Sequence, residues 1–161
     1  MSNKDVQAGF CPLHEWFLSQ NNSLSLAESC TGGTVAASIV QFPGASRYFC
    51  GGVVAYSDQM KKQMLGVKEK TLKSFGAESV ECAVEMASGI CLHTGATYGV
   101  SVTGFAGPGG GTRVGCVWIA VQQGAHSLYC EQHYFPGDRK GVIEQATREV
   151  FHVLHNLFLD P

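Results

Sequence analysis

The sequence predicts an α/β fold in which helices pack on a mixed β-sheet. The hydrophobic periodicity changes repeatedly between the helical and the extended pattern, without an internal repeat or a low-complexity linker. Two extended runs in the second half of the chain stand at hairpin spacing, which predicts an antiparallel portion of the sheet. With 161 residues, of which 45% are hydrophobic and 15% charged, the chain can bury one core, and we expect a single domain over residues 1–161.

The first part of the chain is predicted to form two helices and two strands. Residues 11–20 carry apolar side chains at helical spacing, and residues 24–26 are a short apolar run typical of a buried strand. A helix-like segment follows over residues 35–40. Residues 48–56 are rich in aromatic and β-branched side chains and predict the second strand, in which Gly51-Gly52 indicates a bulge or a close backbone approach.

The second part is predicted to continue with a helix, three strands and a final helix. An apolar stripe at helical spacing over residues 80–91 predicts a helix that lies across the sheet. Strands are predicted over residues 98–103, 114–122 and 127–135. Gly124 marks the turn between the last two strands, and Asp138 is predicted to cap a long amphipathic helix with apolar positions from Val142 to Leu157.

Composition and charge exclude two classes of partner. The formal net charge is -2, and the 11 Lys and Arg residues are scattered without a basic run, so we expect no nucleic-acid partner. No segment approaches the roughly 18 to 20 apolar residues of a membrane span. The first ten residues lack the apolar core of a signal peptide, and we therefore expect a cytoplasmic protein that does not bind membranes.

The cysteines and histidines do not predict a metal centre. The chain has 7 cysteines, an odd number, without a Cys-x-x-Cys pair, so reduced thiols are expected. Five of them lie in apolar contexts and are expected to pack as small hydrophobic side chains: Cys50, Cys82, Cys91, Cys116 and Cys130. The 6 histidines are dispersed, and His152 and His155 have no acidic or thiolate neighbour in sequence. We expect no metal and no cofactor.

The segment 27–34 is the strongest candidate for chemistry. It places a hydroxyl, a thiol and backbone N–H groups where a strand turns through two glycines into a helix, which suits an anion or an oxyanion. Ser29 is a candidate nucleophile that needs a base. Lys61 is a candidate base, since a lysine desolvated in a pocket can be neutral near pH 7. The alternative is that Ser29 caps the next helix and Lys61 is solvated on a polar turn with Lys62.

Three further features are candidate binding groups, each with a second interpretation. Cys30 is a rival nucleophile at a helix N-terminus, or an inert packed thiol. The loop 107–112 can bring backbone N–H groups close to a ligand, or it is a tight connection between strands. Arg139 lies in the first turn of the last predicted helix, where the helix dipole disfavours a cation; a bound anion or a surface salt bridge would explain it.

Taken together, these segments resemble the CinA C-terminal domain family, whose stand-alone members are nicotinamide-nucleotide amidohydrolases. The resemblance extends from about Leu24 to the last helix. The matching motifs are Ala27-Glu28-Ser29-Cys30-Thr31-Gly32-Gly33, Phe42-Pro43-Gly44-Ala45-Ser46, Gly52-Val53-Val54-Ala55-Tyr56-Ser57 with Lys61, Leu65-Gly66-Val67, Phe75-Gly76-Ala77 with Ser79, Val102-Thr103-Gly104-Phe105-Ala106-Gly107-Pro108 with Gly110-Gly111-Thr112, Val114-Gly115 with Val117-Trp118, and Gly137-Asp138-Arg139.

The resemblance implies hydrolysis of the carboxamide of nicotinamide mononucleotide to nicotinic acid mononucleotide and ammonia. It implies that Ser29 is the nucleophile and Lys61 the general base, and that Tyr56 positions the amine or donates to the substrate. The implied substrate-binding residues are Cys30, Thr31, Gly32, Gly33, Thr103, Gly104, Gly107 and Arg139. Among these, the amides of residues 31–33 are the candidate oxyanion hole and Arg139 is the candidate phosphate ligand. The resemblance also implies a homo-oligomer whose partner is a small-molecule nucleotide.

The chain departs from the family pattern at two places beside these residues. Only Arg113 stands between Thr112 and Val114, where the family usually carries a longer segment. Asp58 replaces the usual Asn and adds a negative charge near Lys61, which works against the role of that lysine as a base. These departures support an alternative function, a non-catalytic nucleotide-binding or interaction module of the same fold.

Overall fold

The computed structural model describes the backbone of residues 3–160 and the side chains of residues 10–160, and a five-stranded mixed β-sheet forms its centre. The strands are β1 (Leu24–Glu28), β2 (Phe49–Val54), β3 (Tyr98–Gly104), β4 (Cys116–Gln123) and β5 (His126–Tyr134). Their order is β2-β1-β3-β4-β5. Strands β1, β2 and β3 are parallel, whereas β4 pairs antiparallel with both β3 and β5. The mixed sheet and its antiparallel portion are confirmed.

Helices cover both faces of the sheet. The helices are α1 (Asn3–Ser19), α2 (Thr34–Ile39), α3 (Asp58–Leu65), α4 (Glu69–Phe75), α5 (Val80–Thr94) and α6 (Arg139–Phe158). Side chains of α1, α2 and α6 form one hydrophobic cluster with alternate residues of β1, including Leu24 and Leu26. Side chains of α3 and α5 form a second cluster with the opposite face, which includes Ala27. The result is an α/β domain of three layers, which confirms the predicted packing of helices on a mixed sheet.

Two helices were not predicted. Residues 58–65 and 69–75 are short and rich in charged side chains, so they carry little of the apolar periodicity that predicts a helix. The start and stop signals of α3 are nevertheless present: Ser57 Oγ accepts a hydrogen bond from Met60 N, and Gly66 ends the helix with a φ of 68°. The interpretation of residue 61 as part of a polar turn is wrong for this reason.

The carboxyl ends of β1, β2, β3 and β5 lie at one edge of the sheet. This follows from the pairing, since β1 to β3 are parallel and β5 is antiparallel to β4. The four segments that follow these strands carry Ser29, Tyr56, Gly107 and Arg139. Loops beyond the carboxyl ends of strands are where open α/β sheets bind their ligands. The topology therefore brings the predicted site residues to one edge.

No helix in the described part of the chain is long and apolar enough to span a lipid bilayer.

Helix α5 crosses α3 at a position where only glycine fits, and this contact yields a stability prediction. A Cβ atom on Gly89 would lie 1.8 Å from the backbone oxygen of Leu65. We expect Gly89→Ala to destabilise the protein by about 3 kcal/mol or more, because the overlap is with backbone and outweighs the roughly 1 kcal/mol gain in helix propensity. The measurement is the midpoint of urea unfolding.

Gly109→Ala is the matched control for this prediction. Gly109 has nothing within 4 Å of its ideal Cβ position, and its φ is not positive. Its alanine variant should unfold within about 0.5 kcal/mol of the wild type. Equal midpoints for the two variants would contradict the close packing of α3 on α5.

Candidate active site

Ser29 and Lys61 are in direct contact in the interior of the protein. Lys61 Nζ donates to Ser29 Oγ at 3.0 Å and to the backbone oxygen of Ala55 at 3.1 Å. The two side chains are buried, with exposed fractions of 2% for Lys61 and 7% for Ser29. A lysine amine held against a hydroxyl can accept its proton when the amine is neutral. The two side chains predicted to act as nucleophile and base are therefore in contact, and their roles stay a prediction.

The ends of three strands hold this pair in place. Ser29 N donates to Val102 O at 2.8 Å, which ties the residue after β1 to β3. Ala55 N donates to Glu28 O at 2.8 Å, which ties the residue after β2 to the end of β1. The Ala55 carbonyl that orients the Lys61 amine is consequently fixed relative to Ser29.

Glu28 caps helix α2, a role that was not predicted from the sequence. Its Oε2 accepts hydrogen bonds from Gly33 N at 3.0 Å and Val35 N at 3.2 Å, and its Oε1 accepts from Ala36 N at 2.8 Å. A buried carboxylate at a helix N-terminus satisfies N–H groups that lack partners within the helix. The N-terminus of α2 is therefore occupied by the protein's own anion, and Ser29 is not its cap. The signal available in the sequence was an acidic residue shortly before a helix start.

Two of the amides predicted to form an oxyanion hole are engaged inside the loop. Gly33 N donates to Glu28, and Gly32 N donates to Ser29 O at 3.0 Å. The prediction that these two amides receive a substrate oxyanion does not fit this arrangement. Thr31, between them and Ser29, is buried, and its Oγ1 has no hydrogen-bond partner among the described residues.

Cys30 is a packed thiol in the structure. Burial raises the pKa of Cys30 to about 12, and the nearby charge of Lys61 opposes that shift only in part. Since the thiolate is the reactive form of cysteine, Cys30 is unreactive at neutral pH. The geometry favours its interpretation as an inert side chain over that of a rival nucleophile.

Arg139 joins two of the loops at the carboxyl edge of the sheet. Its Nη1 donates to Gly107 O at 2.7 Å, and its Nη2 donates to the hydroxyl of Tyr56. Tyr56 follows Ala55, whose carbonyl accepts from Lys61. The structure thus brings Arg139 to the neighbourhood of the buried pair, although 110 positions separate it from Ser29 in sequence. The Tyr56 hydroxyl contacts Arg139 instead of the Lys61 amine.

Thr103 and Gly104 serve the framework around the site. Thr103 is fully buried, and its Oγ1 donates to Ala77 O at 2.8 Å, in the connection between α4 and α5. A Cβ atom on Gly104 would lie 2.4 Å from Cys116 O, so glycine permits the close approach of β3 and β4. The Thr103 hydroxyl and the space beside Gly104 are thus used by the protein itself, and substrate binding by these two residues stays a prediction.

Charged groups surround Lys61 beyond its hydrogen-bond partners. Asp58 begins helix α3, one turn before Lys61. Burial raises the pKa of the Glu78 carboxyl; Asp58 acts in the same direction, whereas Lys61 and Arg113 oppose the shift. Arg113 lies over the ring of Phe105, with its guanidinium carbon 4.3 Å from the ring centroid. Asp58 and Arg113 stand out in the sequence as departures from the family pattern, whereas Glu78 carries no motif signal.

An open cleft of about 580 Å³ lies beside Arg139. It is lined by Thr34, Asp138, Arg139, Lys140, Ile143 and Glu144. Asp138 caps α6 through a hydrogen bond from Gly141 N at 2.8 Å, which confirms its predicted role. The cleft is large enough for a small ligand. Among the residues with described side chains, no group of three or more His, Cys, Asp or Glu could hold a metal ion.

Comparison with known proteins identifies the family. The sequence model of the CinA C-terminal domain matches residues 12–158. A CinA-like protein of Leptospira interrogans is 41% identical over 150 residues, which are 91% of this chain and 36% of that protein. A CinA-like protein of Thermosipho melanesiensis is 39% identical over 142 residues, 86% of this chain and 35% of that protein. The chain thus spans about a third of the length of these curated relatives.

Solved structures share the fold over nearly the whole chain. A competence-damaged protein (CinA) superfamily protein from Klebsiella pneumoniae superposes with a TM-score of 0.88 at 30% identity, covering 98% of each chain. A CinA superfamily protein from Escherichia coli superposes with a TM-score of 0.90 at 28% identity, covering 98% of this chain and 93% of that one. These likenesses confirm the predicted fold class.

The cap formed by Glu28 yields a second stability prediction. We expect Glu28→Gln to destabilise the protein by about 1–3 kcal/mol, because the amide group replaces one acceptor oxygen with a donor and leaves buried N–H groups of α2 unpaired. Urea unfolding measures the loss. Glu69→Gln is the control: Glu69 lies in the first turn of α4, is 60% exposed and pairs with Lys73, so its variant should unfold at nearly the same urea midpoint as the wild type. If Glu28→Gln unfolded at the same urea concentration as the wild type, the capping role of Glu28 would be contradicted.

Thiol reactivity provides a prediction for Cys30. At pH 8 we expect iodoacetamide to alkylate the exposed Cys11 and Cys50 in the folded protein, while Cys30 and Cys82 stay unmodified. Burial raises the pKa of both buried thiols to about 12, so only about 1 in 10,000 of each is thiolate at that pH. Mass spectrometry of digested protein reads the modified sites, and the unfolded protein serves as the fully reactive control. Rapid alkylation of Cys30 in the folded state would restore it as a rival nucleophile.

The exposure of Cys50 corrects the prediction that it packs in the interior.

Proposed function

The chain belongs to the CinA C-terminal domain family, and on that premise we propose that it hydrolyses the carboxamide of nicotinamide mononucleotide to nicotinic acid mononucleotide and ammonia. The substrate class comes from the family resemblance of its motifs. The observation that carries the proposal is the buried contact between Lys61 Nζ and Ser29 Oγ at 3.0 Å. A module that only binds a ligand has no need of a buried amine held against a hydroxyl.

The proposed reaction uses this pair twice. Ser29 Oγ bonds to the carboxamide carbon, its proton moves to Lys61 Nζ, and the carbonyl π electrons move onto oxygen. Collapse of this intermediate breaks the C–N bond, and Lys61 returns the proton to the departing nitrogen, which leaves as ammonia. A water molecule then hydrolyses the Ser29 ester with Lys61 again as base. The Ala55 carbonyl, 3.1 Å from Nζ, keeps the amine oriented through both steps.

Arg139 is the proposed ligand of the substrate phosphate. A guanidinium has five N–H donors, of which the contacts with Gly107 and Tyr56 use two. The remaining donors can bind phosphate oxygens, for which the planar guanidinium is well suited. The cleft beside Arg139 supports this assignment, since it offers room next to the cation. A homo-oligomeric assembly is proposed on the family resemblance alone.

A second function is supported by the charges around Lys61. Asp58 lies one turn before Lys61 on α3, and the carboxyl group of Glu78 interacts electrostatically with the same lysine. Negative charge near an amine stabilises its ammonium form, which cannot accept the proton of Ser29. A chain in that state would bind a nucleotide without turning it over. The alternative is therefore a non-catalytic nucleotide-binding module.

Ammonia release from nicotinamide mononucleotide distinguishes the two functions. We expect turnover by the wild-type protein and a loss of at least about 10⁴-fold in both Ser29→Ala and Lys61→Met, because each removes one member of a unit that acts together. Lys62→Ala is the control: Lys62 is exposed on the same helix and should leave turnover unchanged.

Each other outcome contradicts part of the proposal. Turnover that survives Ser29→Ala would make water, activated by Lys61, the nucleophile. An inactive wild type that binds the nucleotide in calorimetry, with similar affinity in Lys61→Met, would establish the binding module.

A further inference from the structure

Thr31 carries a buried hydroxyl that the rest of the protein leaves unpaired. Its side chain is 1% exposed, and its Oγ1 has no hydrogen-bond partner within residues 10–160. Other buried hydroxyls of the domain are paired: Ser101 Oγ donates to Ala83 O, Thr103 Oγ1 to Ala77 O and Thr147 Oγ1 to Ile143 O. A buried hydroxyl without a partner is destabilising, so its presence calls for a physical reason.

Packing alone does not provide that reason. Valine has nearly the same shape as threonine and would fill the same space without the cost of an unpaired hydroxyl. Nor is the loop loosely held. Thr31 O accepts from Thr34 N at 3.2 Å and from Thr34 Oγ1 at 2.8 Å, and Thr34 Oγ1 contacts Thr147 Oγ1 at 2.8 Å on α6. The backbone of Thr31 is therefore anchored to two helices while its own hydroxyl has no bond.

The position of Thr31 relates it to the nucleophile. Gly32 N donates to Ser29 O at 3.0 Å, which closes a tight turn from residue 29 to residue 32. Thr31 is the third residue of that turn, and Ser29 is the first. The amides of Gly32 and Gly33, two of the three amides expected to form an oxyanion hole, are engaged with Ser29 O and Glu28. The unpaired Thr31 hydroxyl is thus a donor that the protein has not used, in the same turn as Ser29.

We infer that the Thr31 hydroxyl stabilises the oxyanion that forms when Ser29 attacks an acyl group. When Ser29 Oγ bonds to the carbonyl carbon, its proton moves to Lys61 and the carbonyl π electrons move onto oxygen; Thr31 Oγ1–H then donates a hydrogen bond to that oxygen and keeps its own proton. A side-chain donor aimed at developing charge contributes about 10²- to 10³-fold in rate. The inference rests on the proposed use of Ser29 as the nucleophile.

A fluorophosphonate probe tests this without any nucleotide. The Oγ–P bond forms at Ser29 while its proton moves to Lys61, the P–F bond breaks and fluoride leaves, and negative charge develops on the phosphoryl oxygen, as it does in acyl transfer. The reaction is therefore independent of whether nicotinamide mononucleotide is the substrate. We expect the wild type to be labelled at Ser29, Ser29→Ala to stay unlabelled, Thr31→Val to react at least about 100-fold more slowly, and Thr31→Ser to stay within about tenfold of the wild type.

The unfolding temperature is a second measurement, because it should fall in a control variant but not in Thr31→Val. Because the hydroxyl of Thr31 is unpaired in the free protein, Thr31→Val should unfold at the same or a higher temperature than the wild type. Thr147→Val is the matched control: its hydroxyl bonds to Ile143 O and Thr34, so removing it should lower the unfolding temperature. The Thr31→Val variant should thus react more slowly with the probe without a fall in its unfolding temperature.

Three results would overturn the inference. Labelling of Thr31→Val at the wild-type rate would show that the hydroxyl does not contact the reacting oxygen. A lower unfolding temperature for Thr31→Val would show that the hydroxyl has a structural role. A wild type that the probe does not label would remove the nucleophile on which the inference depends. Labelled protein that releases no ammonia from nicotinamide mononucleotide would instead reject the proposed substrate and leave the role of Thr31 intact.

Discussion

The hydrogen bonds of one buried amine constrain the whole carboxyl edge of the sheet. Lys61 is 2% exposed, and a buried amine without acceptors would strongly disfavour the fold. Its acceptors, Ser29 Oγ and Ala55 O, follow two different strands, so β1 and β2 must end at the same level and α3 must begin shortly after Ala55. The bond from Ala55 N to Glu28 O enforces that level. The geometry of the candidate site and the stability of the fold therefore depend on the same few contacts.

At the carboxyl edge of the sheet, different elements provide the candidate anion ligand and the turn near Ser29, which the sequence suggests as one motif. The segment 27–34 looks like an anion-binding turn, yet the anion at α2 is the carboxylate of Glu28, which accepts three N–H groups. In the proposed function the substrate anion is bound by Arg139, which begins α6 and follows a different strand. The turn near Ser29 then remains available for the reacting group. That proposal places charge recognition and bond cleavage on separate elements of one edge.

Much of the fold and part of the site follow from local sequence patterns. Strand β1 and the cap of α6 at Asp138 were predicted correctly, because apolar runs and capping residues act over a few positions. Helix α3 was missed, since its eight residues are mostly polar and its one buried face is defined by tertiary contacts. The engagement of Gly33 with Glu28 and of Thr103 with Ala77 could not be predicted, because side-chain hydrogen bonds within a loop or across 26 positions leave no periodic signal.

The two functions proposed for the chain require different protonation states of Lys61 Nζ. A negative charge beside an amine favours its ammonium form, and Asp58 and Glu78 are the carboxyl groups near this amine. Burial acts against this effect at Glu78, because it raises the pKa of that carboxyl and so favours its neutral form. Arg113, held over Phe105 in the shortened loop, opposes the rise of the Glu78 pKa, whereas Asp58 reinforces it. The two departures from the family pattern therefore act in opposite directions on one carboxyl group, that of Glu78.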